Sequence, residues 1–180
     1  MAGTRERIVE AAASLILGRG IGNVTVVDIE RASGLAPGSG AFYRHFDGKG
    51  AVYVAVIRRE AERALDSFPD VGVSRSGVEE LAVRMDLVER MRRLLVCMMR
   101  DDGQHPDARA AMADALLRLG RAAALDGVGG ADPLAVEMVV VLAQIGYVLA
   151  LEFFGDLPFG VSTERYVAAL AELVEARPQG

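Results

Sequence analysis

TVVDIERASGLAPGSGAFYRHFDGK, residues Thr25 to Lys49, is the stretch whose reading decides the fold. Thr25 has a hydroxyl that can satisfy free backbone N–H groups at a helix start. Asp28, three residues on, can reach back to complete a capping box. Val27, Ile29 and Ala32 follow as apolar contacts, and Gly34 ends this short helix. Upstream, Ile8, Ala11, Ala12, Leu15 and Ile16 recur at helical spacing, with Arg5, Glu6, Arg7 and Glu10 on the other faces. That helix is predicted to stop in a left-handed turn at Gly18-Arg19-Gly20. Downstream, Ala36-Pro37 suits a third helix, with Pro37 at the first position, where a missing N–H is tolerated. Phe42 and Phe46, four apart, would share its buried face, leaving Tyr43, Arg44 and His45 outside. Two helices separated by a glycine turn, with a third close behind, outline a helix-turn-helix.

Further along, Val52, Val56, Ile57, Ala61 and Leu65 place a helix from Gly50 to about Phe68, broken at Pro69-Asp70-Val71-Gly72. Ser76 and Glu79 read as a second capping box, opening a helix that carries Leu81, Met85, Val88, Met91, Leu95, Met98 and Met99. Asp101 to Asp107 is polar loop, and Ala108 to Leu125 is helical up to Gly127-Val128-Gly129-Gly130. Asp132-Pro133 opens a strongly apolar helix up to Phe154, and Thr163 to Ala176 forms the last. No stretch alternates as a strand would, so the predicted fold is all-α.

The chain has 180 residues, of which 52% are apolar and 25% charged, a composition that excludes wholesale disorder. A single cysteine, Cys97, rules out a disulfide within the chain, and with only His45 and His105 beside it no metal site or cofactor is expected. Cys97 sits in an apolar helix and reads as a buried, inert thiol, with a redox sensor as the alternative. The most apolar segment, Met138 to Leu151, is interrupted by Gln144 and falls short of the roughly 18 residues a membrane span needs. No membrane partner is expected, and the cytoplasm is the default location. Charge is unevenly spread. Residues 1–60 carry eight basic and six acidic side chains, while the remainder carries twelve and nineteen. A mildly basic head on an acidic body suits a small DNA reader joined to a module of another kind.

Arg7-Ile8 with Ala11-Ala12, Gly20, Thr25 to Ile29, Ala32-Ser33-Gly34-Leu35 and Phe42 to Lys49 together resemble the DNA-binding head of the TetR (tetracycline-repressor) family. The resemblance covers about residues 5–57, and its most specific element is Tyr-x-His-Phe-x-x-Lys at 43–49. Three positions depart from the family pattern. Gly34 to Phe46 is two residues longer than usual, Glu30 stands where a small alanine is common, and Gly50 replaces a frequent acidic residue. The resemblance implies a helix-turn-helix domain over 1–50 and a helical effector-binding and dimerisation domain over 51–180.

Tyr43, His45 and Lys49 read as phosphate contacts, which position a protein on DNA without reading sequence. The family adds Thr25 to the backbone contacts and assigns base reading to residues early in the third helix, here Pro37, Gly38, Ser39 and Arg44. Arginine is the usual partner of guanine. In the body, Glu137, Gln144 and Tyr147 lie at i, i+7 and i+10 on an otherwise apolar helix. Together with Met85, Met91, Met98 and Met112 they form a candidate small-molecule site, with plain core packing as the alternative. The apolar helix must be covered on every side. In the family the last two long helices pair with those of a second copy, which points to Val141, Val148, Leu149, Tyr166 and Leu170. The expected protein is a homodimeric repressor that binds a palindromic double-stranded operator and is released by a small-molecule effector. An activator, a ligand-independent regulator or a helical scaffold carrying a similar head are the alternatives. No acid–base pair, metal cluster or phosphate loop recommends an enzyme.

Overall fold

The computed structural model describes residues 3–66, 77–99, 105–122 and 133–175. Seven α-helices occupy them: α1 (Thr4–Arg19), α2 (Val26–Ala32), α3 (Lys49–Asp66), α4 (Gly77–Met99), α5 (Pro106–Ala122), α6 (Pro133–Phe154) and α7 (Thr163–Glu175). No strand occurs among the described residues, and none of their helices is long and apolar enough to cross a membrane. The predicted all-α class holds. The expected Ser76 cap and the glycine-rich stretch at 127–130 lie outside the described residues.

The chain divides into two compact units, residues 1–63 with 93–117, and residues 64–92 with 118–180. In the first unit the core is built by Ile8, Ala12 and Ile16 of α1, Ile21 and Val24 of the following turn, Ile29 of α2, Phe42 and Phe46, and Val52, Val56 and Ile57 of α3. Cys97 is buried here, its Sγ 3.3 Å from the Ile16 carbonyl oxygen, so the thiol is a core group as expected. α1 stops at Arg19, but not through a left-handed turn. Gly20 has φ 77° with ψ 149°, an extended ψ that sends the chain into a 3-10 turn at Ile21–Asn23. Gly50 has a local reason to lack a side chain: a Cβ there would lie 3.1 Å from Nδ1 of His105.

The second unit centres on Leu81 and Met85 of α4, Val140, Tyr147 and Val148 of α6, Leu157, and Val167, Leu170 and Ala171 of α7. Arg92 of α4 joins Glu89 and Glu152, each at 2.7 Å, and these two carboxylates raise its pKa further.

Candidate nucleic-acid interface

α2 is defined at both ends by local hydrogen bonds. At its start Asp28 N–H donates to Thr25 Oγ1 at 3.1 Å, while the Thr25 N–H and hydroxyl both donate to Asp28 Oδ2, at 2.9 and 2.6 Å. These two donors hold the Asp28 carboxyl below its ordinary value, the hydroxyl contributing most. At its end the Leu35 N–H bonds the Glu30 carbonyl at 2.8 Å and the Gly34 N–H bonds that of Arg31 at 3.2 Å, with Gly34 at φ 75°. That pair of bonds is the Schellman arrangement, and it needs a residue that tolerates positive φ. The helix and both of its signals were legible in the sequence.

The segment after it corrects the prediction. Residues 36–41 do not form the N-terminus of an α-helix. Ser39 N–H bonds the Ala36 carbonyl at 3.2 Å, with Pro37 second and Gly38 (φ 75°) third, the arrangement of a type II turn. Gly40 again takes positive φ, at 72°, and Ser39 Oγ accepts the Ala41 N–H. A single 3-10 turn, Phe42–Arg44, is all the regular helix before α3. Pro37 has its φ set for a helix start and a turn alike. The glycine behind it decides between them, because Pro-Gly is a turn signal. The aromatic pair behaves as predicted: Phe42 and Phe46 are buried, with ring centroids 5.8 Å apart.

Buried rings of this kind turn their neighbours outward. Pro37, Gly38, Ser39, Tyr43, Arg44 and His45 are all exposed, and so is Thr25. Tyr43 lies edge-on to Phe42 at 5.3 Å and leaves its phenol end free to reach a phosphate oxygen. Lys49 is half-buried and donates one N–H to the Ile21 carbonyl at 2.8 Å, which ties α3 to the turn after α1. An ammonium has three donors, so two are left for an anion. The Thr25 hydroxyl is different, because its only proton goes to Asp28. Arg5, not singled out in the sequence, stacks its guanidinium 5.1 Å above the Phe46 ring and adds positive charge beside the 43–49 string.

Beginning at Arg5, His45 and Phe46, an open groove of about 1220 Å³ runs between α1 and α3. Its rim carries both signs, with Arg59 and Arg63 paired to Glu10, so it does not select for one charge.

The expected effector residues are placed unevenly. Gln144 is 2% exposed, and its Nε2 has no hydrogen-bond partner. Tyr147 shares a 2.8 Å hydrogen bond with the Thr163 hydroxyl, and its ring lies 5.2 Å from that of Tyr166. Burial, and then Tyr147, push the Tyr166 phenol above its ordinary pKa. Met85 joins this cluster and Met91 is buried in the same unit, whereas Met98 and Met112 belong to the first unit. The Glu137 side chain lies outside the described residues. Of the residues expected at a dimer seam, Val148 and Leu170 are buried in the chain's own core, where Tyr166 also packs. Val141 and Leu149 are half-buried. Among the described residues, the large apolar side chains that α6 leaves exposed are Met138, Val139, Leu142, Phe153 and Phe154, which periodicity could not separate from buried neighbours on an all-apolar helix.

Residues 8–56 match the model of the bacterial regulatory proteins of the tetR family. Over these residues the chain is similar to the DNA-binding head of that family. SrpR of Pseudomonas putida, an HTH-type transcriptional regulator, is 36% identical over 86 residues, which are 47% of this chain and 39% of SrpR. The chain spans less than two thirds of the curated relatives it matches. In fold the likeness to TetR regulators extends further. A Streptomyces avermitilis protein assigned to the TetR transcriptional regulators superposes with a TM-score of 0.72 at 22% identity, over 97% of this chain and 99% of that one. FadR of Bacillus subtilis, solved with stearoyl-CoA, does so with a TM-score of 0.69 at 14% identity, over 95% and 97%.

Proposed function

We propose that this chain is a homodimeric transcriptional repressor whose two heads bind a palindromic double-stranded operator and release it when a small-molecule effector occupies the body. The observation that carries the reading is the outward set Ser39, Tyr43, Arg44 and His45, held on a TetR head by the buried rings of Phe42 and Phe46. Tyr43 and Lys49 position the head on phosphates, while Ser39 and Arg44 have the side-chain donors for base edges. Residues 1–50 act as the DNA-binding part and 51–180 as the sensor and dimeriser.

Dimerisation is supported by a register on α6. Val139, Leu142, Gly146, Leu149 and Phe153 recur at alternating steps of three and four, and every one is exposed or half-buried in the single chain. That spacing suits one helix packing along another. Effector binding is supported by Gln144, whose buried amide lacks a partner that a ligand acceptor could supply, with Tyr147 one turn further on. FadR with its stearoyl-CoA is a precedent for a ligand within this fold. An effector that binds better to a dimer with misplaced heads lowers DNA affinity by shifting the population.

The test is titration of the full chain onto DNA from upstream of its own coding region. The expected result is dimer binding that weakens steeply with salt, with a log–log slope of roughly −0.9 per neutralised phosphate. Leu142→Glu is expected to give a folded monomer without operator affinity. Binding that is flat with salt, or full affinity from a monomer, overturns the reading.

A further inference from the structure

Glu30 is 2% exposed, a carboxylate in the interior of the helix-turn-helix. Its Oε2 accepts the Gly38 N–H at 2.8 Å, across eight residues of chain, and its Oε1 is buried with no hydrogen-bond partner. Burying a carboxylate with one oxygen unsatisfied is unfavourable, and an apolar side chain would fill the same space without that cost. α2 does not need the group. Its start is capped by Thr25 and Asp28, and its end is closed on the Glu30 carbonyl, which accepts the Leu35 N–H and the Ser33 hydroxyl. The one thing the carboxylate holds is Gly38, an exposed residue between Pro37 and Ser39.

We infer that Glu30 is a positioning residue for DNA reading: from inside the head, by its bond to the Gly38 N–H, it sets the shape of the 36–41 turn and so the discrimination between operator and other DNA. It does not touch DNA, being buried and of the sign that phosphates repel. The inference rests on the DNA-binding reading above. It adds that specificity depends on a side chain behind the reading surface, while phosphate contacts from Tyr43 and Lys49 do not.

The experiment uses the full chain and two duplexes of equal length, one selected by the wild-type protein from a random pool and one scrambled. Glu30→Ala is expected to lose about tenfold or more in affinity for the selected duplex, the scale of one good base contact. Affinity for the scrambled duplex and the salt slope should stay within about twofold, since phosphate contacts are untouched. Glu30→Gln keeps an acceptor for the Gly38 N–H and should restore most of the discrimination. Equal loss on both duplexes, or Glu30→Gln no better than Glu30→Ala, overturns the inference. Amide exchange in the wild-type chain gives a check that needs no variant to fold. The Gly38 amide should exchange about tenfold or more slower than that of Gly40, which has no such acceptor. Equal rates overturn the clamp. A wild-type chain that prefers no duplex, with Gly38 protected, overturns the DNA reading instead.

Discussion

Residues 25–34 and residues 36–46 both read as helices in the sequence, and only the first is one. α2 is bounded by bonds between near neighbours, Thr25 with Asp28 and Leu35 with Glu30. The second stretch has no such frame. Two glycines at positive φ and a Pro-Gly turn hold its first half open, and its shape is held from a distance by the Phe42 ring and the Glu30 carboxylate. Local chemistry secures one half of the motif, and packing secures the other.

The largest expected effect follows from that difference. Phe42→Ala removes a fully buried ring and should destabilise the chain by about 3–5 kcal/mol, read from denaturant unfolding. A loss under ~1 kcal/mol would show that the second stretch is not held by packing. Next come the glycines. Gly38→Ala and Gly40→Ala each meet open space but force an L-residue to φ near 75°, and each should cost ~1–2 kcal/mol. If either variant is instead more stable, with added helix by circular dichroism, the stretch prefers the helix that its Pro37 suggested.

Thr25→Ala should cost about 1 kcal/mol, the usual worth of an N-cap, through α2 alone. The smallest effect is a pH dependence. The Asp28 carboxyl is depressed by bonds from Thr25, so its contribution is full above its unfolded value of about 4 and is lost as pH falls through the lower folded value. The stability gap between wild type and Asp28→Asn should therefore be constant from neutral pH down to about 4 and narrow below it. A gap that widens in acid would remove the capping box from the account of α2.

Much of the first unit's frame was legible because its signals are short-range. Capping residues, glycine stops and apolar spacing act within a turn or two of chain, and α3, α6 and α7 also began where proline, threonine or spacing placed them. Pro37 misled because one residue type serves two local structures. The residues expected at a dimer seam were split between core and surface for another reason. On α6 nearly every side chain is apolar, so spacing carries no information about which face the chain itself buries. Val148 went to the intrachain core, and Val139 and Leu142 were left outside.

The sequence by itself determined the all-α class, the boundaries of α2, the paired Phe42 and Phe46 anchors and the resemblance of the head to the TetR family, since each rests on local spacing or on a compact motif. Only the tertiary structure decided that Glu30 reaches Gly38, that Lys49 anchors to Ile21, and which face of α6 is free. Those contacts join groups 8 or more residues apart in the chain, or depend on which neighbours arrive. No periodicity encodes a partner that distance in sequence hides.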